Sequence, residues 1–326
     1  MGRVAFVTGA TGFVGRHLIA ELAAHEWKVR ALVRTSSATE HLREIGAELH
    51  VGTLADAGVL ARCIEGSDTV FHLAAVTVAK TEEEYVATNA TGTRALVVAV
   101  QRAKAPPRAL VYLSSYAAGG PARNGRPRMV SAEPAPLTAY GRSKLTGEYI
   151  VRDEDGSATE RIIVRAPAVY GPGDRALLPY FRLLRRGIAL VPGGGNRRLQ
   201  LILVTDLARA LRRAADARSG ICAVANPTPY AWDEIVGVIA QAMGRRPLRV
   251  PLPPPLVRAA AGATEAIGRF AGRAVPFNRE KAEEMLAPEW TCDLAGSEAL
   301  LPADDATPLQ EGIEQTIRWY MREGWL

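Results

Sequence analysis

Short apolar runs alternate with amphipathic stretches through the first half of the chain. The runs at 3–8, 29–33, 48–51, 69–73, 109–114 and 161–166 have the length and composition of buried strands. Between them apolar residues recur at helical spacing, as in 13–25 and 89–103. Strands alternating with helices build βαβ units, which need a parallel sheet covered on both faces. Right-handed crossovers then predict an α/β, doubly wound sheet with ligands beyond the strand C-termini.

The pattern changes after Tyr170-Gly171-Pro172-Gly173. The stretch Val191-Pro192-Gly193-Gly194-Gly195-Asn196 reads as a loop, and Pro251-Leu252-Pro253-Pro254-Pro255 as a rigid break. Segments 199–205 and 221–225 are expected to be strands that rejoin the sheet, and 232–243, 256–270 and 308–323 to be helices. This predicts a sheet domain over 1–172 with 199–227. A smaller lobe, discontinuous in sequence, takes 173–198 with 228–326. Such a division suits 326 residues, of which 48% are hydrophobic.

The bulk chemistry narrows the function classes. No apolar run approaches the ~18–20 residues that span a bilayer. The small-residue-rich 256–270 is expected to be a lobe helix, with a helix lying on a membrane as the alternative, so no membrane association is predicted. The N-terminus enters a strand pattern at once, without a signal-peptide pattern. Cys63, Cys222 and Cys292 lack metal-ligand spacing, which predicts reduced thiols, a cytoplasmic protein and no metal. The net charge is +6, yet the arginines are dispersed, without a basic run or interleaved aromatics. That argues against nucleic acid and for an anionic cofactor. Only five residues are Lys, which makes the one at 144 conspicuous.

Thr8-Gly9-Ala10-Thr11-Gly12-Phe13-Val14-Gly15 joins the first strand to the first helix. Gly9 allows a tight turn, Gly12 lets backbone approach a pyrophosphate, and Gly15 allows close packing of the helix. The helix N-terminus offers free N–H groups to phosphates. About 20 residues on, an NAD site usually carries an acidic residue for the ribose 2′-hydroxyl. Here the second strand runs into Arg34-Thr35-Ser36-Ser37 instead. Arg34, helped by a hydroxyl such as that of Ser37, suits a 2′-phosphate. NADP(H) is therefore preferred; NAD(H) stays open, since Arg34 can equally stack on adenine.

Tyr140-Gly141-Arg142-Ser143-Lys144 places a phenol and an ammonium one helical turn apart. A free Tyr has a pKa near 10, and lowering it to near 7 needs roughly 4 kcal/mol. A cation held ~4 Å away at intermediate dielectric supplies about that much. Ser114-Ser115 ends an apolar strand, where a hydroxyl can hold a substrate oxygen.

These features together resemble the extended short-chain dehydrogenase/reductases, the NAD-dependent epimerase/dehydratase superfamily with a Rossmann sheet. Five motifs match in order: Thr8–Gly15, His72-Leu73-Ala74-Ala75, Asn89-Ala90-Thr91-Gly92-Thr93, Ser114-Ser115 with Tyr140 and Lys144, and Arg165-Ala166-Pro167-Ala168-Val169-Tyr170-Gly171-Pro172. They cover most of 1–226; the lobe beyond resembles the family only in outline. The resemblance implies that Ser115 and Tyr140 bind the reacting oxygen, Tyr140 being the general acid/base, and that Lys144 holds ribose hydroxyls. It also implies that Gly9, Thr11, Gly12, Phe13, Val14 and Gly15 cradle the dinucleotide. Leu73, Ala74 and Ala75 would line it, Asn89 would support that strand, and Pro167 and Val169 would flank the nicotinamide. His72 reads as structural and Asp206 as a helix cap.

Departures from the family pattern steer the reading. Thr53-Leu54 stands where an Asp-Leu pair is common, and Tyr116-Ala117 where sugar-nucleotide dehydratases carry Asp-Glu. Leu203 stands where many sugar-nucleotide enzymes have His. The dihydroflavonol-reductase and hydroxysteroid-dehydrogenase branch fits best. The expected function is NADP(H)-dependent hydride transfer between nicotinamide and a largely apolar ketone or secondary alcohol, by a homodimer. The alternatives are a nucleotide-sugar epimerase with trapped NAD(H), and a non-catalytic NADP(H) sensor.

Overall fold

A computed structural model describes residues 2–153 and 158–326. Seven parallel strands form the central sheet: β1 (Val4–Thr8), β2 (Lys28–Val33), β3 (Glu48–Val51), β4 (Thr69–His72), β5 (Ala109–Ser115), β6 (Glu160–Ala166) and, from much later in the chain, β7 (Gly220–Ala223). Their order is β3-β2-β1-β4-β5-β6-β7, which reverses direction between β1 and β4. That reversal opens a crevice at the strand C-termini, where β1 and β4 diverge to their own loops.

Alternation along the strands divides the core into two layers. Val7, Ala31, Phe71, Val111 and Val164 pack against the helices Phe13–Ala24 and Val204–Ala214. Phe6, Leu32, Val70, Leu110, Tyr112 and Ile163 pack on the other face, against Ala57–Ile64, Thr93–Arg102 and Ala139–Arg152. Both faces are buried, which is why the strands read as nearly continuous apolar runs.

A separate core gathers Tyr170, Phe181, Ile235, Ile313 and Tyr320. The chain end is pinned there, with Trp325 stacked on Tyr320 and edge-on to Trp319. Within this part the sequence expectation for 199–205 fails. Arg198–Leu199 pairs with Tyr230–Ala231 and Glu289–Trp290, whereas Leu201–Leu203 pairs with Ala168–Tyr170. Neither joins the main sheet, because β7 already occupies the edge beside β6. Gln200 marks the change of partner: its buried amide oxygen accepts from the Tyr116 hydroxyl and from Cys292 N.

Asp206 corrects a second expectation. It lies inside the first turn of Val204–Ala214, not at its cap, and clamps Thr307 through that residue's N–H and hydroxyl. The three thiols are free, and burial pushes them up to about 11, 12 and 11 for Cys63, Cys222 and Cys292. No helix of the described residues is long and apolar enough to cross a membrane.

Candidate active site

The glycine-rich turn leaves β1 and enters the first helix without side-chain help. Gly9 has φ +74°, and a Cβ there would stand 2.7 Å from the Leu73 carbonyl carbon and from Ala74 N. Gly12 N donates to Gly9 O at 3.0 Å, and a Cβ on Gly15 would lie 2.1 Å from that same oxygen. Gly12 is the N-cap and makes no side-chain cap bond, so the first helical N–H groups remain available to an anion. Thr11, Phe13 and Val14 are half-buried around the turn. The bare backbone here fits a pyrophosphate: a side chain at Gly9 or Gly15 would collide with the turn itself, and Gly12 leaves the helix N-terminus uncovered.

The turn is locked to the tail of β4. Thr8 Oγ1 lies 2.7 Å from His72 Nδ1 and accepts from Ala74 N, while His72 Nε2 lies 2.9 Å from Thr93 Oγ1. Burial pushes His72 down to about 3, so it is a neutral bridge. Asn89, in a π-helical turn, grips Val76 through both backbone groups and donates to Ser143 Oγ. Ser143 in turn donates to Tyr140 O. Leu73, Ala74 and Ala75, half-buried, thus hang between the glycine turn and the helix that carries Tyr140.

Arg34 follows β2, next to the turn through the pairing of β1 with β2. It is exposed and has no carboxylate partner among the described residues. Its N–H donates to Ser37 Oγ, and Ser37 N donates back to Arg34 O, which closes a small turn. A carboxylate is close by in sequence order after β3, a residue that motif reading passed over: Asp56. It is consumed by Thr53, accepting from both its N–H and its hydroxyl.

Ser115 and Tyr140 meet, and Ser114 does not join them. Successive strand residues face opposite ways. Ser114 points into the core and donates to Glu148, which forms a two-pronged ion pair with Arg165. Ser115 faces the other way, caps the short Tyr116–Gly119 helix and lies close enough to the Tyr140 phenol to oppose the effect of burial on it. Tyr140 sits in the first turn of Ala139–Arg152, capped by Thr138. Pro167 directly follows Ala166, which pairs with Ser115; Val169 lies half-buried on the next short strand. Tyr116 and Ala117, where dehydratases carry acids, are buried.

Electrostatics correct the expected phenol–ammonium coupling. Burial pushes Tyr140 up to about 12, only partly opposed by the Ser115 hydroxyl. Burial also pushes Lys144 down to about 7, against the pull of Glu148. Its Nζ rests 4.1 Å above the ring of Tyr112, three residues before Ser115 on the same strand. Desolvation outweighs the one-turn proximity that the i, i+4 spacing offers.

Two consequences follow for titration. Tyr140 carries its proton throughout the neutral range, as a donor to a carbonyl oxygen must. Lys144 is largely neutral above pH 7 in the free protein. An anionic dinucleotide nearby favours the ammonium and raises that pKa, so binding should take up protons between pH 7 and about 10. Calorimetry of NADPH binding in two buffers of different ionisation heat is expected to show net uptake in that window and weaker binding as pH rises.

The NAD dependent epimerase/dehydratase family matches the chain over residues 5–223. Ceramide reductase of Caulobacter vibrioides is 32% identical over 99% of this chain and 96% of its own length. MoeE5, solved in complex with UDP-glucose and NAD, superposes with a TM-score of 0.76 at 25% identity and 99% coverage of both chains. The structure of gox2253 shares the fold, with a TM-score of 0.82, 24% identity and full coverage of both chains. The family match spans more than half of the chain and the reductase relative nearly all of it: the chain belongs to the NAD dependent epimerase/dehydratase family, and is an NAD(P)-dependent oxidoreductase of the extended short-chain dehydrogenase/reductase type.

Proposed function

We propose that the protein is an NADP(H)-dependent reductase of a ketone carried on a large apolar, lipid-like molecule, running in reverse on the secondary alcohol. The observation that carries this reading is the Ser115 hydroxyl against the Tyr140 phenol, set beside the backbone cradle of Gly9, Gly12 and Gly15. A nicotinamide dinucleotide held by its pyrophosphate in that cradle would supply the hydride to the carbonyl carbon. Ser115 hydrogen-bonds the carbonyl oxygen, and Tyr140 gives it a proton as the oxygen gains charge. Lys144 holds the ribose on the same helix face and, once charged, favours loss of that proton. Thr11, Phe13 and Val14 border the pyrophosphate, while Leu73, Ala74 and Ala75, supported by Asn89, line the opposite side. Pro167 and Val169 flank the nicotinamide.

The lipid-like substrate is favoured by the ceramide reductase relative, which matches along nearly the whole chain, lobe included. The boundaries 1–172 with 199–227, and 173–198 with 228–326, are proposed for the cofactor and substrate parts. A cytoplasmic homodimer belongs to the same reading. Epimerisation of a nucleotide sugar is the second reading, supported by MoeE5 in its complex with UDP-glucose and NAD.

Arg34 supports NADP(H), since its free guanidinium stands at the end of β2 where a 2′-phosphate would lie. Arg34→Ala is expected to raise the KM for NADPH at least about tenfold, the loss of one charge-assisted hydrogen bond. The KM for NADH should barely change. Equal effects on both cofactors, or trapped NAD(H) in the purified protein, would favour the epimerase.

A further inference from the structure

Counted along the chain, the positive charge is not spread evenly. Residues 245–279 contain seven arginines and one acidic residue, Glu265. That segment accounts for the whole formal excess of +6; the rest of the chain balances. The same segment holds the three most exposed large apolar side chains among the described residues, Phe270 at 97%, Leu248 at 71% and Ile267 at 67%, and Leu256 at 59%.

The helix Pro254–Phe270 organises them. Val257, Ala261 and Gly268 are its buried residues, and the first two pack with Ala282 of the helix Arg279–Leu286. At 100° per residue, Leu256, Ala259, Ala260, Ala263, Ile267 and Phe270 fall within a single stripe on another side, all exposed. Arg258 and Arg269 occupy a third side, paired with Glu283 and Glu265. Arg245, Arg246 and Arg273 are exposed at the two ends of this region, with no acidic partner among the described residues. The helix is too short and too polar on one side to span a bilayer.

We infer that this face docks on an anionic lipid surface, with the helix lying in the plane of the interface and Ile267 and Phe270 inserted between headgroups. An exposed apolar stripe within the segment that carries the excess of arginine is the pattern that binds such surfaces, through buried area and attraction to acidic lipid together. A second copy of the chain is a poor occupant, because it would bring the same uncompensated arginines face to face. A nucleic acid would meet the charge but leave the stripe exposed. The docked helix is two helices from the reaction centre: Glu280, on Arg279–Leu286, accepts from Ala139 N at the start of the Tyr140 helix and pairs with Arg142. The inference rests on this surface alone and holds whatever the redox substrate proves to be.

Co-sedimentation with phosphatidylcholine vesicles, with and without phosphatidylglycerol, tests it. The wild-type protein should partition to the phosphatidylglycerol vesicles at low salt and be released as salt rises. Ile267→Ser with Phe270→Ser, both exposed, should keep the melting temperature and weaken partitioning at least about tenfold. Arg245→Glu with Arg246→Glu and Arg273→Glu should do the same through charge. No preference for phosphatidylglycerol, or full binding by both variants, would overturn the inference. So would a dimer that vesicles leave intact and that the Ile267/Phe270 substitutions split.

Discussion

Tyr140→Phe should lower kcat for ketone reduction by about 10²–10⁴-fold, the range supplied by a positioned general acid. Cofactor binding should be nearly unchanged. The substitution removes one hydroxyl and keeps the ring, which packs near Tyr85 at 6.2 Å between centroids. Ser115 keeps its place as the cap of Tyr116–Gly119, so the oxygen still has one donor. What disappears is the proton that burial holds on the phenol through the neutral range. Steady-state turnover and NADPH fluorescence titration separate the two effects. Turnover near the wild-type level would remove Tyr140 from the chemistry.

Glu148→Ala should have the largest effect on stability, a loss of about 3–5 kcal/mol, because it strands a buried guanidinium. Glu148 and Arg165 have side chains 2% and 3% exposed. Glu148 also accepts from Ser114, so the pair ties the end of β5 to β6 and to the helix of Tyr140 and Lys144. Removing both charges together, as Glu148→Met with Arg165→Met, should cost much less than Glu148→Ala alone, since no ion is left unpaired. Urea unfolding of the three proteins checks the order. Equal losses for the single and double variants would mean that packing, not charge, sets the cost.

The parallel sheet was legible because its inner strands β1, β4, β5 and β6 are buried on both faces, which writes nearly unbroken apolar runs into the sequence. Gly9 and Gly15 were legible for a related reason: no other residue fits where backbone meets backbone. The choice between Ser114 and Ser115 came from resemblance, while strand alternation separates them physically.

Other features depend on distant partners and leave no local trace. The edge of the sheet was open to either 201–203 or 220–223, and only the packed chain shows that the second takes it. Arg165 read as the end of a buried strand at the start of a family motif, and nothing in the sequence pointed to its partner Glu148 on the helix of Tyr140. The pKa directions of Tyr140 and Lys144 were missed because sequence gives spacing, whereas burial sets the larger effect. The arginines looked dispersed, yet the excess of positive charge falls in the one segment that also holds the exposed helix Pro254–Phe270.

The reductase reading is tested most directly by following a labelled hydride. With NADPH deuterated at the transferable position and a long-chain ketone, the account predicts one deuterium on the carbinol carbon of the product. One NADPH should be consumed per ketone, and both signals should vanish in Tyr140→Phe. A nucleotide sugar inverted at one carbon, with no label gained and no cofactor consumed, would contradict it.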